Sequence, residues 1–270
     1  MRKKIIAISI LVLMLGLCTG CGKKYEAKKS TLFIESDGGV VSKDIEAFDT
    51  HEYSKSKFEK YVNSRIDSYN DQVDSKAIKL KELEFKNDMV SLTLSYKSYK
   101  DYSKFNNIEL FVGSISDAIA EGYSMDTNFV KVEDNKPVSK VSCNKILENN
   151  SDKIVIIKAN TRIKIDGSIK YTSAKDVNLI SDDTVDMKEN TNLLDELSNR
   201  KSAAKKAQLK KTKKEKAIKK KNSVNADGSV DEKDLEVGKV KKKETNFVFK
   251  EDKLSTSSQI SDVFSYVIFD

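Results

Sequence analysis

The stretch MVSLTLSY at residues 89–96 constrains the fold more than any other part of the chain. Val90, Leu92, Leu94 and Tyr96 alternate strictly with Ser91, Thr93 and Ser95. Successive side chains of a strand point to opposite faces, so this pattern predicts a sheet with one buried and one wet face. The run before it carries Ile78, Leu80, Leu83 and Phe85, and Lys86-Asn87-Asp88 lies between the two as a turn. A hairpin of this kind points to antiparallel pairing rather than to a regular βαβ alternation.

The rest of the folded part reads similarly. Leu32-Phe33-Ile34 and residues 40–48 flank Ser36-Asp37-Gly38-Gly39, a second hairpin signal. Residues 54–73 read as a helix whose apolar stripe is Phe58, Tyr61, Val62, Arg65, Ile66 and Tyr69, with Ser54 or Ser56 as its cap. Residues 101–105 fit one helical turn, 109–113 a strand and 115–121 a short helix. Further strands are expected at 129–132, 153–158, 162–165 and 177–180. The expected fold class is α+β, mostly antiparallel sheet with a few helices, interrupted by a Lys-rich insertion that is helical or disordered. The expected division is a body at 31–187, the insertion at 188–244, and strands at 245–270 that return to the body. A free apolar run such as VFSYVIF at 263–269 is an aggregation hazard, so pairing onto the body's sheet is expected.

Charge is divided unevenly. The chain holds 49 Lys and Arg against 42 Asp and Glu, a net +7. Residues 200–221, RKSAAKKAQLKKTKKEKAIKKK, alone contain 12 basic residues and one acid, Glu215. That excess is larger than the whole chain's, so the remainder is net acidic: an acidic body carries a basic arm. Lys205, Lys206, Lys210, Lys211, Lys213, Lys214, Lys219, Lys220 and Lys221 form a phosphate-seeking surface whose binding should fall steeply with salt. The same residues also fit a solvated spacer, or an arm folded against its own acidic body.

At the N-terminus, Arg2, Lys3 and Lys4 precede an apolar run from Ile5 to Leu17, too short to span a bilayer and of signal-peptide length. Leu17-Cys18-Thr19-Gly20-Cys21 follows, and here the chain resembles a bacterial lipoprotein. The resemblance implies cleavage between Gly20 and Cys21, removal of residues 1–20, a diacylglyceryl group on Cys21, and a tether at 21–30. Two acyl chains give stable attachment where one gives marginal binding. Cys18 stands where that family's lipobox usually has Leu. The bias toward Lys, Asn, Ile and Ser looks like a low-GC Gram-positive proteome, which implies the outer face of the cell membrane. The polyanions met there are anionic lipid and wall polymer, not nucleic acid.

Three further groups are candidates for chemistry. Tyr96, Tyr99, Tyr102 and Phe105, interleaved with Lys97, Lys100 and Lys104, could form a ligand-binding surface for a solute or glycan, or pack where a strand meets a helix. SVNADGSVDEKDL at 223–235 resembles a single calcium loop of the EF-hand or dockerin type. Asn225, Asp227, Ser229, Asp231 and Asp234 fall at ligand positions, but Ser223 stands in place of the first Asp. A polar turn explains the same residues, and no metal is expected. His51 lies in DTHEY as a surface residue. The chain has one His, three Cys and no nucleophile, phosphate-loop or zinc motif. No cofactor and no catalysis are expected. The reading is a membrane-anchored extracytoplasmic lipoprotein of structural or binding type; a solute- or glycan-binding module is the alternative, and an enzyme with an unidentified site the third.

Overall fold

A computed structural model describes residues 24–222 and 260–270. Along the chain the elements are β1 (Thr31–Ile34), β2 (Val40–Ala47), α1 (Lys55–Gln72), β3 (Ile78–Lys86), β4 (Met89–Tyr96), α2 (Tyr99–Asn106), β5 (Leu110–Ser114) and α3 (Ile115–Ala120). They continue as β6 (Phe129–Glu133), β7 (Lys136–Val141), α4 (Cys143–Leu147), β8 (Lys153–Ala159), β9 (Arg162–Ile165) and β10 (Ile169–Ser173). The last four are β11 (Lys175–Ser181), β12 (Thr184–Asn192), α5 (Leu193–Asn222) and β13 (Ile260–Phe269).

The fold is α+β, built on two mostly antiparallel sheets. One has the order β11-β12-β9-β1-β2-β4-β3, the other β5-β8-β13-β10-β6-β7. In the first sheet β1 joins the two halves, antiparallel to β2 and parallel to β9, with Leu32 opposite Ile163. Every other described pairing is antiparallel.

Inner-face residues of both sheets meet in one core. Leu32, Ile34, Ile163, Val177 and Val185 come from the seven-stranded sheet, and Leu110, Val130, Val155, Ile157, Val267 and Phe269 from the other. The six-stranded sheet is covered on its second face as well. There Phe111, Phe129, Ile154, Ile156, Tyr266 and Ile268 pack with Ile115 and Ala118 of α3 and Ile146 of α4. This explains the unbroken apolar run IVII in β8, since a strand buried on both faces has no wet positions. β13 lies between β8 and β10, with Tyr266 opposite Ile156 and Val267 opposite Thr172.

A β-bulge explains an irregularity in β3. Ile78, Leu80, Leu83 and Phe85 are spaced by two, three and two, so a regular strand would turn half of them outward. Register shifts between Leu80 and Glu82, where Leu80 opposes Leu94 and Glu82 opposes Thr93. Lys81 is the extra residue, and it returns Leu83 and Phe85 to the core side. The second face of this sheet is not simply wet, as the alternation predicted. Thr93 is only 2% exposed and Val41 is fully buried, because the N-terminal segment lies over that face.

α1 begins at Ser54, whose hydroxyl accepts from the Lys57 amide. Val62, Ile66 and Tyr69 are buried, but Tyr61 is 57% exposed and Arg65 is also exposed, so the apolar stripe is narrower than expected. β12 runs to Asn192, past the expected end of the body at 187. β7, α4, β10 and β12 carry no clear apolar period, and the sequence reading assigned none of them. A strand at 247–249 was expected and lies outside the described residues.

Candidate functional site

The basic arm is a helix with an anchored root. α5 follows β12 directly, and Leu193 and Leu197 are buried. The Leu193 amide donates to the Ala174 carbonyl at 2.8 Å, and the Leu194 amide to the Asn192 side chain at 3.0 Å. Arg200 donates to the Pro137 carbonyl at 3.2 Å. Asp195 and Glu196 sit in the first turn, where a carboxylate suits the helix dipole. From Lys201 to Thr212 every residue is exposed. Among the described residues no carboxylate pairs with Lys205, Lys206, Lys210 or Lys211, so this part of the arm does not fold against the acidic body. Lys213, Lys214, Lys219, Lys220 and Lys221 lie on the same helix backbone, and their side chains are outside the described residues.

The aromatic group does not form one surface. Tyr96 and Tyr102 are 3% and 7% exposed, edge to face at 5.1 Å within the core. Phe105 is half-buried between Tyr69 and Tyr96, and the Arg65 guanidinium lies 4.7 Å from its ring centre. Tyr99 turns toward the other core cluster, packing on Phe111, and donates to Glu121 at 2.9 Å. Of the two readings, the structure corrects the shared ligand-binding face and shows the packing one, with Tyr96 and Tyr102 in the core where β4 meets α2. β4 ends at Tyr96 and α2 begins at Tyr99, so spacing that would align residues on one helix straddles two elements.

A polar chain that sequence reasoning missed runs behind these rings. Asn106 donates to the Tyr96 hydroxyl at 3.2 Å, that hydroxyl lies 3.4 Å from Ser42 Oγ, and Ser42 donates to Asp44 at 2.9 Å. Desolvation pushes the Tyr96 hydroxyl up to about 12 and the Asp44 carboxyl up to about 6. The chain ties β2, β4 and α2 together. Ser42 and Asp44 share the inner face of β2 with Val40, and that two-residue spacing was the available signal.

The N-terminal segment is fixed closer to its start than a tether at 21–30 implies. Tyr25 donates to Glu35 at 2.7 Å and stacks edge to face on Phe33 at 5.2 Å. Burial of this hydroxyl beside Glu35 raises its pKa far above the usual tyrosine value. Ser30 exchanges two hydrogen bonds with Ile45, at 3.1 and 2.9 Å. Gly20, Cys21 and the loop at 223–235 lie outside the described residues.

No group of three His, Cys, Asp or Glu side chains is placed to hold a metal among the described residues. His51 is exposed and Cys143 is half-buried and free. Among the described residues no helix is long and apolar enough to cross a membrane. No protein-family model, curated protein or solved structure matches the chain.

Proposed function

We propose that this protein is a membrane-anchored extracytoplasmic lipoprotein, held by diacylglyceryl-Cys21, whose non-catalytic body presents a basic arm to polyanions of the cell envelope. The observation that carries the reading is the arm itself. Its root is built into the body by Leu193, Leu197 and Arg200, while Lys201, Lys205, Lys206, Lys210 and Lys211 beyond it are exposed and without carboxylate partners among the described residues. A rigid root with a bare cationic extension suits capture of an extended polyanion, since each phosphate contacted releases counterions. A spacer needs no such density of like charge, which opposes the helix through repulsion at four-residue spacing. The motif at residues 5–21 and the fixing of the chain from Tyr25 onward support an anchor close to the body.

The test is sedimentation of soluble residues 22–270, which lack the acyl anchor, with purified cell envelope across a salt series, beside the same protein lacking residues 200–243. The intact protein should lose at least tenfold in binding between 20 and 150 mM salt, and the deletion should bind weakly throughout. Equal binding by both proteins overturns the role of the arm. In cells producing each protein, radiolabelled palmitate should enter the native protein and not Cys21→Ala. Label in that variant overturns the anchor.

A further inference from the structure

The outer face of the seven-stranded sheet carries a second concentration of positive charge, at the edge opposite the arm. A groove of about 380 Å³ is lined by Lys76, Lys79, Lys81 and Lys97, with Ser75 and Ser95 beside them. All four lysines are exposed, and none pairs with a carboxylate among the described residues. Lys81, the bulge residue, also lines a second groove of about 460 Å³ with Lys24, Lys43 and Thr93. Glu26 and Glu82 line this one too, and Glu82 pairs with Lys43 at 2.9 Å. Thr93 is buried, and its hydroxyl has no hydrogen-bond partner among the described residues.

Lysines on an edge strand block unwanted strand addition, and that accounts for Lys79 and Lys81. It does not account for Lys76 and Lys97, which lie outside β3 and β4 and still converge on the same groove. Four unneutralised ammonium groups repel one another. Phosphodiester oxygens would relieve the repulsion by accepting from the lysines.

Position decides between sources of phosphate. Lys24 is three residues from Cys21, a span of about 11 Å at most when fully extended. That is close to the screening length of physiological salt. The arm's root packs against β7 and β11, and β11 is the far edge of the same sheet. Six strand spacings separate β3 from β11, roughly 30 Å. We propose that the β3–β4 lysine face docks on anionic lipid headgroups, and so orients the body with the arm's root away from the bilayer. This rests on the diacylglyceryl-Cys21 reading.

The test uses the full-length protein extracted from its own membranes and reconstituted in two vesicle types, phosphatidylcholine alone or with 30% phosphatidylglycerol. Flotation with the neutral vesicles reads the anchor, and amine acetylation followed by mass spectrometry reads the docking. Acetylation of Lys79, Lys81 and Lys97 should fall at least fivefold on the anionic vesicles and recover in 1 M NaCl, while Lys175 on β11 is unchanged. The double variant Lys79→Glu, Lys97→Glu should lose that protection at Lys81, with an unchanged melting temperature showing that it is folded. Equal acetylation on both vesicle types overturns the docking, as does protection by soluble wall polymer without protection by the vesicles. Protection on anionic vesicles by a protein that fails to float with neutral ones removes the anchor and leaves the docking standing.

Discussion

Asp44 shows how one side chain can set a pH dependence. Burial pushes its carboxyl up to about 6; Ser42 pulls it down through a hydrogen bond and Glu46 pushes it further up. The unfolded chain has an aspartate near 3.9, so the folded protein binds this proton more tightly. Its contribution to stability is therefore greatest below about pH 4 and is lost as pH rises through 6. Asn at this position stays neutral and can still accept from Ser42. Asp44→Asn should gain stability over the native protein between pH 4 and pH 7.5, by at most about 3 kcal/mol, in urea denaturation at the two pH values. A gain that is the same at both values refutes the assignment. Residues of this kind were the least legible in the sequence. Nothing in VVSKDIEA marks one of its two acids for burial, whereas Val90, Leu94 and Tyr96 declared their face through alternation.

The β3–β4 hairpin shows what an element can reveal and what it hides. Its existence followed from period-two alternation in β4. The bulge did not, although the odd interval between Leu80 and Leu83 was its trace. Deletion of Lys81 leaves Ile78, Leu80, Leu83 and Phe85 at strict two-residue spacing, so the strand becomes regular with all four still on the core side and its pairing with β4 intact. The expected change in stability is small, about 1 kcal/mol or less, read as a melting temperature within a few degrees of the native value. A collapse of the thermal transition would falsify this account of the bulge. Elements such as β10 and β12 escaped sequence reading for a different reason. Thr172, Ser173 and Thr184 are buried polar residues, and tertiary cover rather than local pattern makes them strand interior.

At the scale of the molecule, stability should be sharply graded. The six-stranded sheet is packed on both faces, while residues 201–212 of α5 touch no core. In native-state hydrogen exchange, amides of β8 and β13 should open only with global unfolding, and those of 201–212 should exchange orders of magnitude faster. Comparable protection in the two places would mean that the arm is covered by something else. The α+β class was readable because apolar runs and turns alternate along the body. The pairing order was not, since β1 beside β9 and β13 beside β8 are contacts between distant segments that leave no local mark.

The central place of β13 also has a consequence in time. A ribosome delivers the chain from its N-terminus, so β8 and β10 emerge long before the strand that separates them. Until residue 269 is delivered, Ile154 and Ile156 have no partner on one side, and the sheet is two fragments with open edges. Closing a loop of this length is slow compared with local hairpin formation. The six-stranded sheet therefore stays unfinished until β13 is delivered, well after the strands on either side of it. Delivery of β13 decides when the sheet closes.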